Sequence, residues 1–267
     1  MPRRITENSG NYDEEFQDLP LYDEVILEVF NRHYVTGSNR LLFKKDELTE
    51  ICNKHGIIVR NIPDIIYTYR VRRSLPSQIL STGHWAIEPA GRGAYAFRLL
   101  RNAPRFDIPF YDYESIEIFN AIPEVVESLL RKDEQSLLTR LLYNRLVDIF
   151  SGLTCFHIQN HYRSFVMDMG EVEVDALYVG VNSNGILFVV PLEAKSQSES
   201  EMIGRIQISQ MVKLVRQDFP NFQRRILAVK ALQDATIGIV EFNDYEDPDE
   251  IRILSVGRYK LIRHGRD

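Results

Sequence analysis

The second half of the chain holds three residues whose types and spacing suit metal-assisted hydrolysis. Asp175 closes the alternating run Glu171-Val172-Glu173-Val174-Asp175, and Glu193-Ala194-Lys195 closes an apolar stretch that begins at Gly185. Side chains two apart on a strand point to the same face, so Glu193 and Lys195 project together. The turn residues Asn182-Ser183-Asn184-Gly185 return the chain and bring Asp175 beside them. Two carboxylates, with a backbone carbonyl such as that of Ala194, are the hard oxygen ligands that Mg²⁺ prefers, with Mn²⁺ as a substitute. A metal held this way acidifies its water and neutralises charge on a phosphate. The ammonium of Lys195 would hold the attacking water or offset developing negative charge.

Other polar residues compete for a role. Glu171 and Glu173 alternate with Asp175, so either one of them binds a second metal or they form a solvated strand face. Gln159, Asn160, His161 and Arg163 follow a strand and read as a polar loop, with Asn160 and Arg163 as candidate contacts to a phosphate or base. His157 reads as a satisfied core residue. Cys52 and Cys155 are far apart and lack a CxxC partner, so they are expected to be buried free thiols rather than zinc ligands or a disulfide. There is no Ser-His-Asp order and no glycine-rich phosphate loop.

The elements that must position these residues can be read from periodicity. Residues 122–131 suggest a short helix, and 133–152 a long amphipathic one ending at Gly152. TCFHIQNHYR, VEVDALYVGV and GILFVVPLEAK read as successive strands, the last apolar throughout, as in a strand covered on both faces. EMIGRIQISQMVKLVRQD has helical spacing; RRILAVKAL, ATIGIVEF and IRILSVGRYKLI supply further strands. This order predicts an α/β core with a central mixed β-sheet flanked by helices and no internal repeat. Pro191 removes a ladder donor within the ExK strand, which predicts a bulge or an edge there.

The first half differs in charge. The chain has 267 residues and a formal net charge of -6, yet residues 60–105 carry Arg60, Arg70, Arg72, Arg73, Arg92, Arg98, Arg101 and Arg105 against only Asp64 and Glu88. Affinity for a phosphate backbone comes largely from such cations. Helical spacing runs from Leu21 to His33, from Lys45 to the Gly56 stop and onward from Pro63, and HWAIE with AYAFRLL around Pro89–Gly93 reads as a hairpin. Three helices and a hairpin are the order of a winged helix-turn-helix module. Its third helix would present Tyr67, Tyr69, Arg70, Arg72 and Arg73 to a major groove, and its hairpin tip would carry Arg92 to phosphate. Residues 1–18 read as a flexible polar arm with no secretory signal, and 106–121 as a linker or wrapping segment. With 44% hydrophobic and 26% charged residues the composition is that of a globular protein, and no apolar run approaches a membrane span.

The acid on one apolar strand, the ExK at the end of the next and the helices before and after them resemble the PD-(D/E)xK nuclease superfamily, whose members are restriction-endonuclease-like. The resemblance spans about residues 122–263; residue 174, before Asp175, is not the proline of the named motif. It implies that Asp175 and Glu193 bind the metal and that Lys195 is the catalytic lysine. It also implies a glutamate on the helix before the first strand, matching Glu134, and a glutamine on the helix after ExK, matching Gln207 or Gln210. The expectation is a winged-helix domain over 19–105 joined to a nuclease domain over 122–267. Its activity would be that of a Mg²⁺-dependent endodeoxyribonuclease, foremost a type II restriction enzyme acting on double-stranded DNA. Cutting both strands needs two sites, hence a homodimer, in the cytoplasm of a prokaryotic cell near the nucleoid and without a membrane partner. The rival readings are a DNA-binding regulator with an inactive nuclease-like dimerisation domain, and a repair or recombination nuclease acting on branched DNA.

Overall fold

The computed structural model describes residues 19–59, 61–198 and 201–263. The expected arm over 1–18, and Arg60 of the basic run, lie outside them. The chain divides into two units, Met1–Leu99 and Leu100–Asp267.

In the first unit, α1 (Leu19–His33) buries Val25, Ile26, Val29 and Phe30, the i, i+1, i+4, i+5 stripe of an amphipathic helix. Strand β1 (Arg40–Lys44) and helices α2 (Lys45–His55) and α3 (Ile62–Tyr67) follow. Helix α2 stops at Gly56, whose φ of 66° is the left-handed C-cap that glycine adopts without strain. Helix α3 runs on through one π-helical turn, Thr68–Arg72, before the short α4 (Ser77–Leu80). Strands β2 (His84–Pro89) and β3 (Ala94–Leu100) form the hairpin, and β1 pairs with β3 to give the order β1-β3-β2. Trp85 anchors the core, with the rings of Phe30 and Phe97 meeting edge-on at 5.2 Å. Strand β1 is absent from the sequence reading: Leu41-Leu42-Phe43 is an unbroken apolar run in the sequence, and the alternation shows only in the structure, where Leu41 and Phe43 are buried and Leu42 is exposed.

The second unit is a mixed sheet flanked by helices, in the order β4-β11-β10-β9-β7-β6-β5. Strands β5 (Thr154–Val166), β6 (Gly170–Val181) and β7 (Leu187–Lys195) form an antiparallel meander. Helix α8 (Arg205–Asp218) then crosses over to β9 (Ile226–Ala231), which lies parallel to β7. Strands β10 (Ile237–Phe242) and β11 (Ile253–Ile262) return antiparallel, β4 (Ile116–Phe119) lies parallel on β11, and the two-residue β8 (Gln223–Arg224) sits beside β7. Helix α8 covers one core, with Ile208, Met211 and Val215 over Val174 and Ala228. Helices α6 (Glu134–Tyr143) and α7 (Leu146–Ser151) cover another, with Leu137, Leu141 and Leu146 over Ala176, Leu192 and Val229.

Three expectations are corrected. The long helix over 133–152 is two helices, α6 and α7. The Asn144 carboxamide ends α6 by donating to the Arg140 carbonyl at 2.9 Å and accepting from the Ala121 N–H at 2.7 Å, and Arg145 turns left-handed with φ 51°. Residues 106–121 belong to the second unit rather than to a linker: Phe106 and Phe110 are buried in its core, and β4 joins its sheet. The chain ahead of α6 also carries the one-turn α5 (Glu124–Glu127). Pro191 makes neither bulge nor edge. The β6–β7 register passes it without a shift, and on the other flank pairing with β8 ends at Val189 while pairing with β9 begins at Leu192, so the missing donor falls between partners. Among the described residues no helix is long and apolar enough to cross a membrane.

Candidate active site

Strand pairing builds the site. Ala176 pairs with Leu192, so one step further along the antiparallel ladder Asp175 stands abreast of Glu193. Val190, Leu192 and Ala194 pack into the core beneath α6 and α7, which turns the alternate residues Glu193 and Lys195 to the α8 side of the sheet. The three side chains therefore meet on one face. Asp175 Oδ2 accepts the Ala194 N–H at 2.7 Å, and Lys195 Nζ donates to Glu193 Oε1 at 2.5 Å. Gln207, in the first turn of α8, joins them: its Nε2 donates to Glu193 Oε1 at 2.9 Å while its Oε1 accepts the Gly204 N–H at 3.2 Å. Of the two glutamines offered by the sequence, Gln207 is the one that meets Glu193, with Gln210 buried one turn along.

Burial makes this cluster electrostatically costly. Glu193 is 7% exposed and Lys195 only 2%. Burial, and then the neighbouring Glu193, push the Asp175 carboxyl up to about 8, against the pull of the Ala194 N–H and Lys195. Burial alone would lower the pKa of Lys195; Glu193, Asp175 and Glu134 outweigh it and hold the ammonium above its ordinary value. Glu134 opens α6 behind the Asp133 N-cap, whose carboxylate accepts the Ser136 N–H at 2.8 Å. Burial raises its pKa, opposed by the field of Lys195 and reinforced by Glu201 and Glu193, which places Glu134 in the same neighbourhood.

Once ionised, the carboxylates of Asp175, Glu193 and Glu134 outnumber the one lysine, and all their donors are hard oxygens. That donor set fits a magnesium-class cation. Asp175 Oδ1 and Glu193 Oε2 accept no hydrogen bond from the described residues and would be the ligating atoms. Among the described residues no group of three or more His, Cys, Asp or Glu is placed to hold an ion, so water and main-chain oxygen would have to complete the sphere. At Ala194, the expected source of that carbonyl, the group touching Asp175 is the N–H, a donor that cannot ligate.

The flanking residues sort differently. Gln159, Asn160, His161 and Arg163 lie within β5, not in a loop, because that strand extends to Val166 through a register shift between His157 and Gln159 and a left-handed residue at His161. Asn160 Oδ1 is engaged by His157 at 2.7 Å, and His157 is half-buried at the edge of the Tyr178 ring rather than in the core. Glu173 is held by Arg163 at 2.8 Å and by His161 at 2.6 Å, and Glu171 is exposed, which fits the solvated-face alternative. Arg163 thus points its charge at Glu173. Two contributors escaped the sequence reading. Glu201, which raises Glu134 and accepts the Ser196 N–H, lies in a serine- and glutamate-rich loop with no periodicity to mark it. Gln135 meets the other nitrogen of His161 at 2.7 Å, a contact between distant segments that spacing cannot reveal. Cys52 and Cys155 are buried free thiols.

In the first unit, Tyr69 is a correction: it is 5% exposed, and its hydroxyl donates to Asp23 at 2.5 Å, so it packs in the core and cannot reach a base. The helical stripe that buries Ile65 and Ile66 carries Tyr69 inward with them. Arg73 is paired with the same Asp23 at 2.9 Å, and Arg72 lies 3.7 Å from Asp64 and over the exposed Tyr67 ring at 4.9 Å. Arg70 is half-buried. Arg92 is exposed at the hairpin tip without an ion-pair partner among the described residues. Much of the basic run is thus balanced internally, and so is Arg98, which shares the buried Glu88 with Arg40. No family model, no curated protein and no solved structure matches this chain.

Proposed function

We propose that the chain is a divalent-metal-dependent DNA endonuclease of the restriction-endonuclease-like kind, with a winged-helix module ahead of it. The observation carrying this reading is the meeting of Asp175, Glu193, Lys195 and Gln207 on one face of adjacent strands. A purely structural strand end gains nothing from crowding Asp175 and Glu193 beside one another where Glu193 is only 7% exposed. Bound there, Mg²⁺ would lower the pKa of a water and neutralise charge on the scissile phosphate. Glu193 and Asp175 would ligate through their free oxygens. Gln207 fixes the rotamer of Glu193, and the Ala194 N–H fixes that of Asp175. The Lys195 ammonium, kept charged by its acidic neighbours, would orient the attacking water or balance the developing charge.

The element order helix, strand, helix, helix, one-turn helix, hairpin in the first unit, with sheet order β1-β3-β2, supports the winged-helix reading. With Tyr69 in the core, Tyr67, Arg70 and Arg72 remain for groove contacts and Arg92 for phosphate. A type II restriction enzyme working as a homodimer on duplex DNA is the favoured form. Incubating the protein with unmethylated phage or plasmid DNA tests it: cleavage needing Mg²⁺ or Mn²⁺, and lost in Asp175→Ala and Lys195→Ala, is expected. Nicking by all three proteins alike, with or without metal, would refute it.

A further inference from the structure

Beside the acidic cluster, the second unit has a groove of about 530 Å³ floored by the apolar Leu137, Ile237 and Leu261. Its rim carries Arg131, Lys132 and Arg263, all exposed and without an ion-pair partner among the described residues. Arg140 also lines it but is already paired with Glu127, and Asp133 is occupied in capping α6. No residue of the cluster lines the groove, but its immediate chain neighbours do: Ser196 and Gln197 follow Lys195 at the end of β7, and Asp133 precedes Glu134 at the start of α6.

Resting on the nuclease reading above, we propose that this groove carries the DNA strand next to the scissile phosphate, with Arg131, Lys132 and Arg263 each neutralising one backbone phosphate. The three cations come from separated parts of the chain, the turn before α6 and the end of β11. A strand carrying a charge every ~3.4 Å of duplex axis can meet all three at once, which a single small anion cannot. The catalytic cluster offers a polyanion only one cation, Lys195, and that is already paired with Glu193. A cationic groove at its edge supplies the attraction that the cluster lacks.

The test is binding of a fluorescent duplex to full-length Asp175→Asn protein in EDTA, across a salt series. The comparison adds Arg131→Gln, Lys132→Gln and Arg263→Gln together, with thermal melting to verify that these exposed changes leave the fold intact. Three lost phosphate contacts should flatten the plot of log affinity against log salt by about 2.7. Between 50 and 200 mM salt the parent should then lose roughly 40-fold more affinity than the triple variant. An unchanged slope would overturn the groove assignment, and so would stronger competition by polyglutamate or by an RNA duplex than by unlabelled DNA. If the slope is unchanged while the unmodified protein still cuts DNA with Mg²⁺, the groove alone fails. If the unmodified protein neither binds nor cuts DNA, the nuclease reading fails and the groove assignment with it.

Discussion

Asp175→Asn should stabilise the metal-free protein while abolishing the proposed nuclease activity. Asparagine keeps the shape of the side chain, and its Oδ1 can still accept the Ala194 N–H that Asp175 holds at 2.7 Å. What it removes is a charge that burial and Glu193 oppose. The folded carboxyl titrates at about 8 against an ordinary 3.8, and each unit corresponds to ~1.4 kcal/mol. The ceiling is therefore roughly 6 kcal/mol, which relaxation and entering water reduce to about 2 kcal/mol. For a domain of this size class, that is a rise in Tm of roughly 4–8 °C at pH 8. The pH dependence has a definite sign. A carboxyl that keeps its proton to higher pH when folded binds more protons in the native state between its unfolded and folded values. Its contribution to stability therefore falls as pH rises from about 4 to about 8, and the advantage of Asn should grow over the same interval. Differential scanning calorimetry in EDTA at pH 5 and pH 8 reads both quantities. A Tm unchanged or lowered at pH 8, or a gain that does not grow with pH, would refute the reasoning.

Lys195→Met leaves buried carboxylates without their cation, and urea unfolding should show a loss of about 3–5 kcal/mol at neutral pH. Gly238→Ala places a methyl 2.4 Å from the buried Phe110 ring, so a loss of about 1–3 kcal/mol is expected by the same measurement. Glu28 is held down to about 2 by Lys54, His55 and Arg32, so its contribution is complete above its ordinary 4.5 and disappears as pH falls towards 2. Glu28→Gln should accordingly cost about 1 kcal/mol at pH 7 and nothing at pH 2, read from paired thermal melts.

The residues legible in the sequence are those whose partners lie close along a strand or across a short turn. Glu193 and Lys195 share a face by two-residue spacing, and the turn at Asn182–Gly185 brings Asp175 back to them. Gln207 was legible as one of a pair; choosing it over Gln210 needed the phase of α8 against β7. Helix α6 was readable, but its end was not, because the signal is Asn144 reaching Ala121, 23 residues away. Strand β4 was hidden for a similar reason: its exposed Ile116 and Phe119 give no alternating pattern, and it exists through its pairing with β11. Tyr69 shows the opposite error. Its place in a basic run suggested an exposed ring, whereas its phase relative to Ile65 and Ile66 carries it into the core, where Asp23 satisfies its hydroxyl.

Metal binding and DNA cleavage measured on the same preparations test the central claim most directly. Titrating Mn²⁺ into the unmodified protein, Asp175→Asn and Glu193→Gln by calorimetry, with duplex cleavage scored in parallel, should give saturable binding and cleavage that both variants lose together. Mn²⁺ affinity indifferent to both substitutions, or cleavage that survives them, would contradict the account.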